Sequence, residues 1–187
     1  DMWWLSGIFR EVTLLARPRV RVEDFTVRAF GDGRLEVTVG GASRPLDWKA
    51  ELIVEGEAVS VPVSPDGTRA GWSGQGGAGR PPHVLAWTAE TPHLYDLVIA
   101  TENETIRTKI GFRTVTWHDG VFRINGERVF LRGVNRHEHD PDHGRAVPAW
   151  RRTQDADLMR SHHVNAVRTS HYPPHPKWLD ECDAGFY

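Results

Sequence analysis

Between residues 21 and 112 the chain repeats one pattern, a short β-prone run followed by a cluster of Gly, Pro, Asp or Ser. The runs fall at 21–30, 34–39, 48–54, 58–63, 84–87, 95–100 and 104–112. Gly31-Asp32-Gly33, Gly40-Gly41, Pro65-Asp66-Gly67 and the stretch 71–82 separate them. Short strands at this spacing read as an all-β sandwich. Cys182 is the only cysteine, so neither an intrachain disulfide nor a Cys-rich zinc site holds that sandwich together. The Cys…Trp…Cys framework of antibody domains is therefore absent. The Gly-rich stretch 71–79 reads as a flexible loop, because glycine loses much conformational freedom on ordering. It lacks the Lys-Ser/Thr end and the following helix of a phosphate-binding loop.

The flanks break the pattern. Residues 8–15 are apolar and partly alternating, and read as a strand closed by Arg17-Pro18. A lone strand is not stable, so this one implies partners and a neighbouring domain. After residue 113, the runs 115–118 and 121–124 flank Asp119-Gly120, a hairpin signal. Asn125-Gly126 is a second turn and leads into the apolar run 128–134. A His-rich loop follows, then a helical stretch at 149–163, a second strand at 165–169, the Pro-rich loop 171–176, and a helix over 177–184 ended by Gly185. Strand, helix, strand, helix is a parallel βαβ pattern. Phe186-Tyr187 is placed to begin a third strand.

Length and charge bound the function. The chain has 187 residues and a formal charge of −2. That balance argues against a nucleic-acid partner, which calls for a basic excess. No apolar run approaches the roughly 20 residues that span a bilayer. No basic and apolar leader opens the chain, which reads as cytoplasmic. There are eight Trp and ten His. Seven of the histidines (His137, His139, His143, His162, His163, His171, His175) crowd into residues 137–175. Crowded His suggests a polar site. Abundant Trp suggests either sugar recognition or large cores.

Both presumed parallel strands end alike, in Arg136-His137-Glu138-His139 and in Arg168-Thr169-Ser170-His171. In (β/α)₈ barrels, functional side chains sit at the carboxyl ends of strands. Neighbouring strands are about 4.8 Å apart, which would put His137 and His171 on one rim. Imidazole and guanidinium groups there can donate directional hydrogen bonds to a polyhydroxylated ligand. Three readings compete for the loop 137–143: a metal site, a polar surface loop turned by Asp140-Pro141, and substrate binding through His137. A glycosidase acid/base pair needs two carboxyls, roughly 5–5.5 Å apart for retention and farther for inversion. Glu138 is the one carboxylate beside the rim histidines, and Glu181 belongs to the terminal helix. Arg168 could be structural or could orient a catalytic carboxylate.

These residues carry a resemblance. Asn125-Gly126 with 129–139, then Asn165-Ala166-Val167-Arg168-Thr169-Ser170-His171-Tyr172-Pro173 and His175-Pro176, strongly resembles glycoside hydrolase family 2. Ser6-Gly7-Ile8-Phe9-Arg10, the stretch 87–95 (WTAETPHLY) and Gly111-Phe112-Arg113 fit the same family in the same order. Within the family the likeness is greatest to the large bacterial β-galactosidases. The β-glucuronidases carry a different sequence after the first barrel strand and around Ser6-Gly7-Ile8-Phe9-Arg10.

The resemblance implies a multidomain architecture. Residues 1–17 would be the last strand of a jelly-roll sugar-binding domain, 18–113 an immunoglobulin-like β-sandwich, and 114–187 the truncated start of a (β/α)₈ TIM barrel. It implies a retaining exo-β-galactosidase acting on terminal β-D-galactosyl residues of lactose-type substrates. The alternatives are β-glucuronidase or another family activity, and, in a different class, a non-catalytic carbohydrate-binding sandwich module. The family's acid/base and nucleophile glutamates lie on later barrel strands, so the chain is expected to lack them and to be inactive alone. His137 and His171 would bond the galactosyl group, and Arg168 would support the nucleophile. Asp1 would contact galactose and a sodium ion. The resemblance further implies Mg²⁺ and Na⁺ in the intact enzyme, with neither fully held by this chain, and a homo-oligomer.

Overall fold

The computed structural model describes residues 6–40, 46–72 and 83–187. Asp1, the break at Gly41 and most of the Gly-rich stretch (73–82) lie outside the described residues. The chain divides into two compact units, one of residues 16–87 and 93–129, the other of 1–15, 88–92 and 130–187.

The first unit is mostly β. One antiparallel sheet orders β1 (Asp24–Ala29), β2 (Leu35–Gly40) and β5 (Arg69–Trp72) as β1-β2-β5. A second orders β3 (Trp48–Val54), β4 (Glu57–Val61), β6 (Tyr95–Thr101) and β7 (Thr105–Ile110) as β4-β3-β6-β7. Alternation explains how they pack. Leu35 and Val37 on β2, Trp48, Ala50 and Leu52 on β3, and Leu97 and Ile99 on β6 point into one shared core. Trp48 is buried there, and its indole N–H donates to the Gly67 carbonyl at 2.6 Å. A third sheet is the meander β8 (Val115–His118), β9 (Val121–Ile124), β10 (Glu127–Arg128). Asp119-Gly120 and Asn125-Gly126 both make its turns with φ between 49° and 84°, the left-handed pair that two-residue hairpins require.

Three expectations fail in the sandwich and its flank. Residues 8–15 form no strand, because a strand needs a paired backbone and nothing in the described chain ladders with them. The run 84–87 makes only a single parallel bridge, Ala86 to Phe112. Gly71 and Trp72, read as loop, close β5. A Cβ on Gly71 would collide with the Leu35 backbone, so this glycine marks a close approach of strands rather than a turn.

Two of the segments that carry the family resemblance meet in this unit. Trp87 N–H donates to the Phe112 carbonyl at 2.8 Å, and the Arg113 guanidinium lies 4.8 Å from the Trp87 ring centroid. A Cβ on Gly111 would come within 2.9 Å of the Trp87 side chain.

The second unit holds β11 (Gly133–Arg136), α1 (Ala149–Ser161), β12 (Ala166–Thr169) and α2 (Pro176–Asp183). β11 and β12 pair in parallel across the crossover helix α1. The expected strand over 128–134 is divided: its start belongs to β10 and its end to β11, four residues apart. α1 begins after Pro148 and buries Arg152 and Ala156, a small and mixed face that explains its weak periodicity. α2 is capped by His175, whose Nδ1 accepts the Lys177 N–H, with Pro176 in the first helical position. Trp178, Phe186 and Ala156 form the core of this unit. Tyr187 donates to the Asn165 carbonyl and accepts from Val167 N–H, the bonding of a parallel neighbour to β12. Among the described residues no helix is long and apolar enough to cross a membrane.

Of the six described tryptophans, four lie in cores. Trp48, Trp72, Trp87 and Trp178 are buried, whereas Trp117 and Trp150 are exposed.

Gly111→Ala is expected to lower stability by about 1–3 kcal/mol, the range for overpacking a filled site. Gly40→Ala, where a Cβ meets none of the described residues within 4 Å, should stay within about 0.5 kcal/mol. Urea unfolding of both variants checks the contrast.

Candidate functional site

The site is built on the parallel pair. In register, Asn135 sits beside Arg168 and Arg136 beside Thr169. Alternation along each strand then sorts the side chains. Val134, Arg136, Val167 and Thr169 share the face toward the helices, where Val167 joins the Trp178 core. Asn135 and Arg168 share the opposite face, and both are exposed.

His137 and His171 follow at the carboxyl ends of β11 and β12. Their rings stand perpendicular with centroids 5.4 Å apart. The Ser170–His171 peptide bond is cis. Desolvation, and then the positive charges of Arg168 and His137, hold His171 below the ordinary histidine value. Among the described residues no carboxylate pairs with Arg168. The structure thus brings together three of the residues singled out by sequence, His137, His171 and Arg168. Asp1 lies outside the described residues.

Glu138 has a different role from that of a free rim carboxylate. It is 5 % exposed, and Arg136, at 7 %, donates to its Oε1 at 2.6 Å. Arg136 Nε bonds Asp155 at 3.0 Å, and its guanidinium lies 4.0 Å over the Trp178 ring. A buried carboxylate committed to a buried guanidinium is an anchor for the strand end.

Asp140 does more than turn the loop. It is fully buried, and its carboxylate accepts from His143 Nδ1, Arg151 Nε, and the backbone N–H groups of Asp142 and His143. The His143 bond leads the interactions that hold this carboxyl far below the usual range. Its backbone exchanges both bonds with Gly144, closing the loop. Asn165 is a second missed residue. Its Oδ1 accepts Arg132 N–H at 2.8 Å, and its Nδ2 donates to the Phe130 carbonyl at 3.1 Å, tying the starts of both strands.

The metal reading of the loop 137–143 finds no donor set. Among the described residues no three His, Cys, Asp or Glu side chains converge on one point. Glu138 is bonded to Arg136 instead, and Asp140 to Arg151, His143 and two backbone N–H groups.

Comparison with known proteins now bears on this geometry. Residues 115–187 match the profile of "Glycosyl hydrolases family 2, TIM barrel domain". Residues 115–187 belong to glycosyl hydrolase family 2. It is 39 % identical over 197 residues to a β-galactosidase of Arthrobacter sp. strain B7, covering 100 % of this chain and 18 % of that protein. It is 38 % identical over 203 residues to a β-galactosidase of Vibrio vulnificus strain CMCP6, covering 98 % and 20 %. The chain thus spans about a fifth of the length of these relatives. In fold it is similar to the Faecalibacterium prausnitzii β-glucuronidase, with a TM-score of 0.75 at 24 % identity, over 90 % of this chain and 27 % of that one.

The Asp140 anchor carries a pH signature. A carboxyl whose value is lowered by folding contributes stability above its unfolded value, near 3.9, and loses it as pH falls further. Asp140→Asn is expected to melt below the parent at pH 7, with the two melting temperatures converging as pH drops below about 4. Thermal melts at pH 7, 5, 4 and 3 test this, with exposed Asp142→Asn as the control that should track the parent.

Proposed function

We propose that this chain is part of a retaining β-galactosidase and supplies one sector of its sugar-binding rim. In this reading residues 1–17 lead out of a jelly-roll domain, 18–113 are an immunoglobulin-like sandwich, and 114–187 open the (β/α)₈ barrel. The observation that carries the reading is the perpendicular His137–His171 pair at the ends of two adjacent parallel strands. Identity of 38–39 % to proteins named β-galactosidase supports the choice of sugar.

The chemistry follows from donor placement. Two imidazoles at right angles offer N–H groups in different directions, which suits vicinal hydroxyls on one face of a pyranose. A neutral imidazole keeps one donor and one acceptor nitrogen, and His171 is biased to that state. Such bonds accelerate reaction only if they strengthen as the ring flattens toward an oxocarbenium ion. Arg168, on the open face beside Asn135, places a fixed positive charge where a nucleophilic carboxylate would be kept ionised. In this scheme the nucleophile and the acid/base glutamates come from barrel strands outside these residues.

A β-glucuronidase is the second reading, favoured by the fold likeness to enzymes of that name. Paired assays of the whole enzyme on nitrophenyl β-galactoside and nitrophenyl β-glucuronide separate the two. His137→Asn and His171→Asn are each expected to lower kcat/KM on the galactoside by about 10²-fold or more, the typical loss for one transition-state donor. Values within threefold of the parent would sink the sugar-facing role. Residues 1–187 alone should give no turnover above background.

A further inference from the structure

Tyr172 bridges the two βα loops. It follows His171, and its Oη accepts the backbone N–H of Glu138 at 3.0 Å, the residue after His137. Its ring also lies against His137, with centroids 6.0 Å apart. On another side the ring faces Arg145, whose guanidinium is 4.8 Å from the Tyr172 centroid and 4.1 Å from that of Phe9. Arg145 is thus held against two aromatic rings, one on each of two distant segments. The Phe9 segment reaches the loops by a second route. Arg10 Nη2 donates to the Pro173 carbonyl at 3.2 Å and lies 4.0 Å from Glu138 Oε2.

We propose that Tyr172 is a positioning residue that sets His137 against His171, with Phe9 and Arg145 holding its ring in place. The proposal rests on the sugar-facing role of His137. Its physical basis is local. The side chain of Glu138 accepts from Arg136, and its backbone N–H donates to the Tyr172 oxygen. That bond adds a second tether one residue from His137, holding the backbone of a residue whose side chain Arg136 already anchors. A displacement of about 1 Å at a reacting group can cost about 10²-fold in rate. This also gives Ser6-Gly7-Ile8-Phe9-Arg10 a function without being a strand: it clamps the loops that present the histidines.

The test is a double-mutant cycle in the whole enzyme. Tyr172→Phe keeps the ring and removes the hydroxyl. It is expected to lower kcat/KM on nitrophenyl β-galactoside about tenfold, equivalent to about 1.4 kcal/mol, with little change in Tm. In a His137→Asn background the same change should alter kcat/KM less than twofold, because the group being positioned is gone. Arg145→Lys keeps the charge but loses the planar fork, and should show the same dependence on His137. Equal losses from Tyr172→Phe in both backgrounds, or parental activity in Tyr172→Phe beside a crippled His137→Asn, would overturn the positioning role alone. Parental activity in His137→Asn would remove the sugar-facing role and this proposal with it.

Discussion

The parallel ladder between β11 and β12 is the constraint on which the site depends. Its register places equivalent positions of the two strands side by side, so whatever follows Arg136 must neighbour whatever follows Thr169. A slip of one residue would turn Arg136 out of its buried niche and bring Asn135 into it. Register and buried charge therefore enforce one another. Arg136 is satisfied only where Glu138, Asp155 and the Trp178 ring surround it. Among the described residues, one guanidinium nitrogen, Nη2, is buried without a hydrogen-bond partner. Such a group adds little net stability compared with an apolar replacement, but breaking it by removing one partner is costly. Its effect is to penalise alternative pairings of the strands.

Charge is used in two ways within a few residues. Glu138 and Asp140 lie in the middle of the His-rich loop, yet both are inward anchors held by arginines. His137 and His171 are outward and partly solvated. Their neighbours differ, and so does their chemistry: several donors hold the Asp140 carboxyl in its charged form, while desolvation and then the Arg168 charge bias His171 to its neutral one. The loop is thus rigid in its acidic residues and available in its basic ones.

Much of this was legible in the sequence, and the failures have physical causes. The hairpin turns at Asp119-Gly120 and Asn125-Gly126 were readable because left-handed φ values admit few residue types. The core faces of β2, β3 and β6 were readable because alternation survives burial on one side. β5 was missed because Gly71 serves close packing, which has the same composition signal as a loop. Residues 8–15 were misread because apolar alternation reports side-chain burial and does not supply a backbone partner. The pairing of His137 with His171 followed from strand parallelism alone. Asp140, Asn165 and Tyr172 did not, since each acts through backbone groups that a sequence does not reveal. Of the resemblance-carrying segments, Trp87 and Gly111-Phe112-Arg113 turned out to contact one another, which spacing could not foretell.

The two edges of the parallel pair are not equivalent. β12 is lined on one side by β11 and on the other by the backbone bonds of Tyr187. Among the described residues, β11 ladders only with β12. Phe130, Leu131 and Val134, on or just before that strand, are all large and exposed. An open row of strand donors and acceptors beside exposed apolar side chains is a template for another chain. Handled alone, this stretch would therefore be prone to self-association through β11.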